Sequence, residues 1–360
     1  MTVNTNDTKW PLIWSLISLN AAIIISWIAY HNYQPVLLKR FQFTELEQFL
    51  GWAKLVVLLI VPPLSGWAAD RMKEKGKNTI PMVTAGVGIT ALVFMIVASM
   101  ITPEPLLPYS NILPIMILIW LIAMNLFYAP ALASLERLVP LDKFTAVMGI
   151  YILVSDMVYG LEPAIIALVD FLGASLTFVT GAVLIGGSGL WFHLNMKKYK
   201  PELVEEDDNK EPKFSKPLLV GLGLGLVFGF LINVFPALFE SHQNILHFGD
   251  YTGEILVSGI MILTAIFAYG LSTHLSYLEN PKLFDNALIF GVILIIASFI
   301  VKGSSFFVIC LLFTPVLAVM SIMAFPLAIN HVPNRYKMLG AGLFLAGLEL
   351  PDSIFELLLN

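Results

Sequence analysis

The chain has 360 residues, of which 58% are hydrophobic and 12% are charged, and its mean hydropathy is +0.84. This composition excludes an ordinary water-soluble globular domain, in which about a quarter of the residues are charged. The formal net charge of −5 favours no particular class of partner, and the single cysteine, Cys310, excludes an intrachain disulfide. The composition predicts a protein embedded in a lipid bilayer.

Eleven apolar runs recur along the chain. Each approaches the length of about 20 residues that a helix needs to cross a hydrocarbon core of roughly 30 Å. In chain order the predicted spans are 11–33, 47–69, 80–101, 112–134, 144–167, 176–196, 218–239, 253–275, 287–301, 305–329 and 339–359. They lack the alternation of a membrane β-barrel, so the predicted fold class is all-α. No small-residue cleavage site follows the first run, which we interpret as a retained span rather than a signal peptide.

Lys and Arg fall mainly on one side of the predicted bundle when the amino terminus is placed in the cytoplasm. That side carries the basic residues of 71–77, 137–143, 197–216, 282 and 335–337, whereas the other side carries only Lys39, Arg40 and Lys302. Such a bias is the positive-inside signature of membrane proteins. We therefore expect a multi-pass protein of the bacterial inner (cytoplasmic) membrane with its N-terminus inside.

The longest polar interruption divides the predicted spans into six and five. We interpret 1–196 as an N-terminal bundle, 197–217 as a cytoplasmic linker and 218–360 as a C-terminal bundle. The two halves share an echo, YAPALASLERLVPLDKFTAVMG against AFPLAINHVPNRYKMLG, which matches Pro130, Pro140 and Gly149 with Pro326, Pro333 and Gly340. Internally repeated halves are typical of secondary transporters.

The segment SGWAADRMKEKGK follows the second span and contains Gly66, Asp70 and Arg71 in the register G-x-x-x-D-R. Together with the repeat, this motif resembles the major facilitator superfamily of secondary transporters, which usually has glycine where this chain has Lys73. The resemblance implies two pseudo-symmetric helical bundles that rock around a midplane site. The family norm is six plus six spans, so we expect a C-terminal bundle that lacks a twelfth helix.

The resemblance also implies an inner latch formed by Gly66, Asp70, Arg71 and Glu136. Gly66 would allow the second helix to approach a neighbour closely, and Asp70 would lie against the positive amino-terminal end of the eleventh helix. Arg71 would pair with Glu136 at the inner end of the fourth helix. The alternative is that these charges merely mark a loop on the inner side.

Acidic side chains inside the predicted spans are candidates for proton coupling or substrate contact, because an ionised group at the bilayer centre is costly. Asp156 and Glu349 lie at about 15 to 18 Å from the inner ends of their helices, near the midplane. Glu162 and Asp352 are further candidates, and Glu349, Asp352 and Glu356 share one helical face. The alternative is that these acids are permanently paired or reach the outer water.

Lys54 is the only basic residue well inside a span, and two readings are open for it. Its charge could snorkel to the headgroups, or it could pair with Asp352 or Glu356 as an outer gate. Polar side chains that could line a central cavity include Asn20, Tyr30, Asn125, Tyr128 and Asn233. His31 lies near the outer boundary, and we interpret it as a wetted interface residue.

The sequence contains no phosphate-binding loop, no Cys–His cluster with metal-ligand spacing and no His-Glu-x-x-His stretch. We therefore expect no enzyme, no cofactor and no nucleic-acid partner. We predict a secondary active transporter that moves a small solute by alternating access as a proton-coupled symporter. The alternative is a transport-inactive scaffold or receptor that assembles with a partner protein at the eleventh helix, because the twelfth span and the latch glycine are missing.

Overall fold

The computed structural model describes residues 8–102, 111–198, 215–241, 252–276, 282–301 and 305–359. Regular structure in these ranges is helical, which confirms the predicted all-α fold class. The long helices are α1 (Trp10–Arg40), α2 (Glu47–Glu74), α3 (Ile80–Ile101), α4 (Leu113–Ala133), α5 (Phe144–Gly160), α6 (Glu162–Lys198), α7 (Ser215–Ser241), α8 (Thr252–Ser272), α9 (Lys282–Ile300), α10 (Ser305–Asn330) and α11 (Lys337–Leu359). Nine helices of the described ranges are long and apolar enough to cross a membrane. Most of the predicted linker, 199–214, lies outside the described residues.

Several helix starts follow directly from the sequence. Pro11, Pro81 and Pro114 lie in the first turns of α1, α3 and α4. Proline is suited to this position because the first amides of a helix have no intrahelical acceptor and the ring already fixes a helical φ. At the other end of α1, Lys39 and Arg40 lie in the last turn, where positive charge complements the helix dipole.

The fifth and sixth predicted spans meet at a sharp turn rather than at a long loop. Gly173 has φ 74° and ψ 164°, a backbone conformation that favours glycine. Thr177 Oγ1 donates to the carbonyl of Val169 at 3.2 Å, although a straight helix would separate positions eight residues apart by about 12 Å. The chain therefore turns at Gly173, and the predicted boundaries 144–167 and 176–196 stop short of this turn on both sides.

Two groups of helices pack within themselves and against each other. In the first half α6 packs on α1 and α3, and α4 packs on α2 and α3. In the second half α10 packs on α7, α8 and α9, and α7 packs on α11. The halves meet mainly through α2 with α11, α5 with α8, α4 with α11 and α5 with α10, and less extensively through α6 with α8. Any movement of one half against the other must therefore change these contacts.

The α2–α11 contact is close because small residues lie in it. A Cβ atom at Gly66 would come within 2.8 Å of the Leu339 amide nitrogen, and one at Gly342 within 2.9 Å of Pro63 Cα. Such distances leave no room for a side chain, so the two backbones approach each other as small residues allow in membranes. α2 also contains the consecutive prolines Pro62 and Pro63 in its interior, between its two ends.

Candidate functional site

Asp70 joins α2 to the beginning of α11. Its Oδ1 accepts from the backbone amide of Met338 at 3.2 Å, and its Oδ2 accepts from that of Leu339 at 2.8 Å. Asp70 is only 3% exposed. Amides in the first turn of a helix lack intrahelical acceptors and carry the positive end of the helix dipole. A carboxylate there both accepts their hydrogen bonds and interacts favourably with the positive end of the dipole. The structure thus brings together Asp70, Gly66 and the eleventh helix, as the motif predicts.

Further charged contacts surround Asp70 at this end of α2, which we call the Asp70 end. Arg335 Nε donates to Glu74 Oε1 at 2.6 Å. Lys73 Nζ donates to the carbonyl of Asn334 at 3.4 Å. These contacts fasten the end of α2 to the turn that precedes α11.

The structure does not bring Arg71 and Glu136 together, so the predicted ion pair between these two side chains is wrong. Glu136 Oε1 lies 3.5 Å from Nζ of Lys337, the first residue of α11, and that nitrogen also donates to the Ile329 carbonyl at 2.8 Å. The Arg71 guanidinium lies over the Trp67 ring, 5.1 Å from its centroid. Glu136 therefore still links the two halves, but through Lys337.

A second charged cluster holds α2 to α11 at the opposite end, which we call the Lys54 end. Lys54 Nζ lies 2.5 Å from Glu356 Oε2, 3.7 Å from Asp352 Oδ2 and 3.2 Å from His31 Nε2. It also lies 5.7 Å from the centroid of the Trp27 ring. Because Lys54 is only 4% exposed, its charge is held inside the protein and does not snorkel to the headgroups.

His31 is exposed and lies beside a buried charge, although the sequence indicated only a wetted boundary residue. The contact with Lys54 identifies it as a polar neighbour of the paired carboxylates. A neutral imidazole can accept a hydrogen bond from an ammonium group through one ring nitrogen, whereas a protonated imidazole cannot. A hydrogen bond from the Lys54 ammonium in this contact would therefore require His31 Nε2 to carry no proton.

A network of hydroxyl and amide groups joins α1, α4 and α5. Asn20 Nδ2 donates to Ser155 Oγ at 2.7 Å, and the Tyr128 hydroxyl donates to Asn20 Oδ1 at 2.9 Å. The hydroxyls of Tyr128 and Tyr151 lie 3.1 Å apart. Asn20 and Tyr128, which the sequence indicated only as candidates for lining a cavity, thus belong to one hydrogen-bonded network within the first half.

Glu349 is partly buried on α11 and lies near this network. Its carboxylate interacts electrostatically with Tyr128 and Tyr159 from the first half, and with Asp352 and Lys54 at the Lys54 end. Two tyrosines from one half and an acid from the other therefore converge on one region. That arrangement suits a group that contacts a solute or a proton.

Asp156 lies in the contact between α5 and α8. It is 5% exposed, and its Oδ2 has no hydrogen-bond partner among the described residues. Gly149, Asp156 and Gly160 are spaced i, i+7, i+11 and share a helical face. A Cβ atom at Gly149 would lie 3.2 Å from the Ala268 carbonyl oxygen, so this face packs closely on α8. Among the described residues, Asp156 is therefore a buried acid without a charged hydrogen-bond partner.

The remaining predicted residues have local roles. The amide groups of Asn125 and Asn233 donate to carbonyls of their own helices at 2.8 and 2.9 Å. Tyr30 stacks on Trp120 with ring centroids 4.5 Å apart. Glu162 is exposed at the start of α6. Asp352 belongs to the Lys54 cluster.

The described ranges contain no group of three or more His, Cys, Asp or Glu side chains that could hold a metal ion.

Sequence reasoning missed Lys337 as the partner of Glu136 and Trp27 as a neighbour of Lys54. Trp27 and His31 are separated by four positions in α1 and therefore share a helical face, a spacing that could have linked them. No comparable signal identifies Lys337.

Comparison with known proteins adds one finding to this geometry. A family model described as Major Facilitator Superfamily matches residues 16–351. The match includes Gly66, Asp70, Asp156 and Glu349, and it extends over both halves. No curated protein matches the chain.

Proposed function

The chain belongs to the major facilitator superfamily and is a multi-pass membrane transporter of small solutes, and from this premise we propose that it is a proton-coupled symporter. Its two halves alternate between openings on the two sides of the membrane. The solute and the proton then travel in the same direction.

The observation that carries this proposal is that α2 is fastened to α11 at both of its ends. Asp70 and Lys54 are 16 positions apart, which corresponds to about 24 Å of helix and most of a bilayer core. Contacts of this kind at opposite ends of one helix pair can be broken one at a time. Breaking the Asp70 end opens one side of the membrane, and breaking the Lys54 end opens the other.

We further propose that the Asp70 end faces the cytoplasm. Basic residues concentrate there, in agreement with the positive-inside rule. Among them are Arg71 and Lys73 in the last turn of α2, and Lys75 and Lys77 directly after it. The cluster of Lys54, Asp352 and Glu356 then acts as the outer gate.

Asp156 and Glu349 are the proposed proton carriers, because both lie between the two ends. A carboxyl group enclosed by protein at this depth is stable when protonated and costly when ionised. Opening either side lets water reach the group, so that it can exchange its proton with that side. Proton binding and release then accompany each half of the transport cycle.

Reconstituted proteoliposomes test this proposal. Uptake of labelled sugars, amino acids, peptides and organic acids is measured with an imposed pH gradient, with and without an ionophore that dissipates it. We expect uptake of one class to fall when the gradient is removed. Asp156→Asn and Glu349→Gln should abolish the response to the gradient, whereas Glu45→Gln, an exposed acid outside the spans, should leave it unchanged.

Uptake that is equal with and without the gradient would remove the coupling to protons. Uptake that both carboxyl variants retain, with its full response to the gradient, would remove their role as carriers.

A further inference from the structure

His31 and Lys54, which contact each other at the Lys54 end, belong to the same half of the molecule. His31 lies on α1 and Lys54 on α2, and His31 Nε2 is 3.2 Å from Lys54 Nζ. The two carboxylates of the cluster, Asp352 and Glu356, lie on α11 in the other half. The contact of His31 with Lys54 therefore does not join the halves, whereas the contacts of Lys54 with the carboxylates do.

The cluster at the Lys54 end has one positive charge fewer than it has carboxylates when His31 is neutral. Lys54 Nζ lies 2.5 Å from Glu356 Oε2 and 3.7 Å from Asp352 Oδ2. Both acidic side chains are partly exposed, and so is His31, whereas Lys54 is buried behind them. A proton on His31 would give the cluster two cations and two anions.

The charged groups that act electrostatically on His31 are Lys54 and Glu356. Among the described residues, Lys54 is also its one polar contact. Asp170 on α6 is close in the chain of contacts, but its Oδ1 accepts from the neighbouring Asn32 Nδ2 at 3.0 Å. Further titratable side chains on the long helices around His31 are Tyr30 and Tyr33 on α1, Glu47 on α2, Tyr128 on α4, Tyr151, Asp156 and Tyr159 on α5, Glu162 and His193 on α6, and Glu349 on α11.

A proton on His31 would change the group that its ring can bind. A neutral imidazole can accept from the Lys54 ammonium through Nε2, but an imidazolium has two donors and no acceptor. Two cations in contact repel each other, so the protonated ring would turn from Lys54 to a carboxylate. Glu356 is the carboxylate that already acts on His31, and Asp352 remains beside Lys54. Protonation would therefore move the polar contact of His31 from its own half to the other half.

We propose that His31 is a proton-binding residue of the outer gate, and that its protonation from the outer side holds the two halves together through an ion pair with Glu356. This inference rests on the proposed function in treating the Lys54 end as the outer gate. The exposed ring takes the proton from the outer water while Lys54 stays buried behind it. A proton taken up outside thus favours closure of the outer side, which must precede opening to the cytoplasm in a symporter.

Distance measurements by pulsed electron resonance in lipid nanodiscs test this role without any solute. Cys310 is the only cysteine, so a Cys310→Ala background permits spin labels at chosen positions. The labels replace Phe171 near the turn of α6 and Ile300 at the end of α9, which are exposed at the Lys54 end of the two halves. The pH is lowered from about 8 to about 4, a range that includes the ordinary charge change of histidine.

In the native background, acidification should raise the ratio of short to long distances by about fivefold, the effect of one partly exposed ion pair. His31→Gln should remove this response, because an amide does not take up the proton. His274→Gln should retain it, because His274 is an exposed histidine at the opposite end of the second half.

A second set of variants asks whether His31 can replace the lysine. Lys54→Met should lengthen the distance at about pH 8, because both carboxylates lose their cation. Acidification should restore the short distance in this variant, because protonated His31 supplies a cation to Glu356. The double variant with His31→Gln should keep the long distance throughout, which excludes protonation of the carboxylates themselves as the cause.

The inference fails if His31→Gln retains the native response, if His274→Gln loses it equally, or if the native distances do not depend on pH. It also fails if the double variant closes on acidification as Lys54→Met does. An unchanged distance in Lys54→Met at about pH 8 would remove the outer gate from the proposed function, and this inference with it. A response that depends on His31, without proton-coupled uptake in proteoliposomes, would support this inference and remove the proposed coupling instead.

Discussion

Replacement of Asp70 by asparagine should loosen the contact between α2 and α11 at the Asp70 end. The carboxylate accepts from the amides of Met338 and Leu339 at 3.2 and 2.8 Å. Asparagine has nearly the same shape but offers one oxygen acceptor and no negative charge. The substitution therefore removes the charge from the amino-terminal end of α11 and leaves at least one of the two amides poorly satisfied.

The size of the effect follows from this geometry. A hydrogen bond to a charged group contributes about 1.5 to 3 kcal/mol, and the carboxylate at a partly buried helix end adds up to about 2 kcal/mol. Asparagine keeps part of the first contribution, so we expect a net loss of about 2 kcal/mol. That loss corresponds to a change of about 30-fold in the ratio of closed to open forms at this end.

Spin labels at Lys75 and Asn334, which are exposed on the two sides of the Asp70 end, would measure this ratio in the Cys310→Ala background. Asp70→Asn should shift the population strongly toward the longer distance. Asp142→Asn, which removes an exposed acid elsewhere at the same end, should not. A shift of less than about threefold for Asp70→Asn would refute the argument that charge at the start of α11 holds the two helices together.

Three further perturbations separate the other contacts. Glu356→Gln should destabilise the protein by up to about 3 kcal/mol, because it removes the nearest carboxylate from the buried Lys54 ammonium; adding Lys54→Met should restore part of the melting temperature, and no restoration would argue against the pair. Gly342→Leu should disrupt the close α2–α11 packing and abolish uptake, whereas Gly88→Leu, a glycine with open space around it, should be tolerated in the same assay. Glu74→Gln should change the melting temperature by no more than the equivalent of about 1 kcal/mol, because its partner Arg335 is exposed; a larger loss would show that the pair is not an ordinary surface ion pair.

Most of the fold could be predicted because membrane helices are specified by length and hydropathy. The contact of Asp70 with α11 was also predictable, because the resemblance of the Gly66, Asp70 and Arg71 motif to that of the family implied it. The sequence left two interpretations of Lys54 open, because it does not show which face of α2 meets α11. The 2.5 Å contact between Lys54 and Glu356 favours the ion pair over a side chain that extends to the headgroups.

The failures have a common physical cause. Arg71 in the last turn of α2 and Glu136 just after α4 carry opposite charges, but tertiary packing puts the Lys337 ammonium beside Glu136 and Arg71 over the Trp67 ring. Long charged side chains can reach several partners, so sequence alone cannot rank them. Asp156 differs in this respect, because its spacing from Gly149 and Gly160 already marks a face for close helix packing. That spacing indicates close packing on another helix, and the structure identifies this helix as α8.

The consecutive prolines Pro62 and Pro63 in the middle of α2 make this helix easier to bend between its contacts with α11 at the Asp70 end and at the Lys54 end. Neither ring nitrogen can donate to the helix, so α2 lacks two consecutive backbone hydrogen bonds and bends more readily there. In the proposed transport cycle, such a bend would let one end of α2 separate from α11 while the contact at the other end is kept. The transporter would then avoid a state that is open to both sides of the membrane at once.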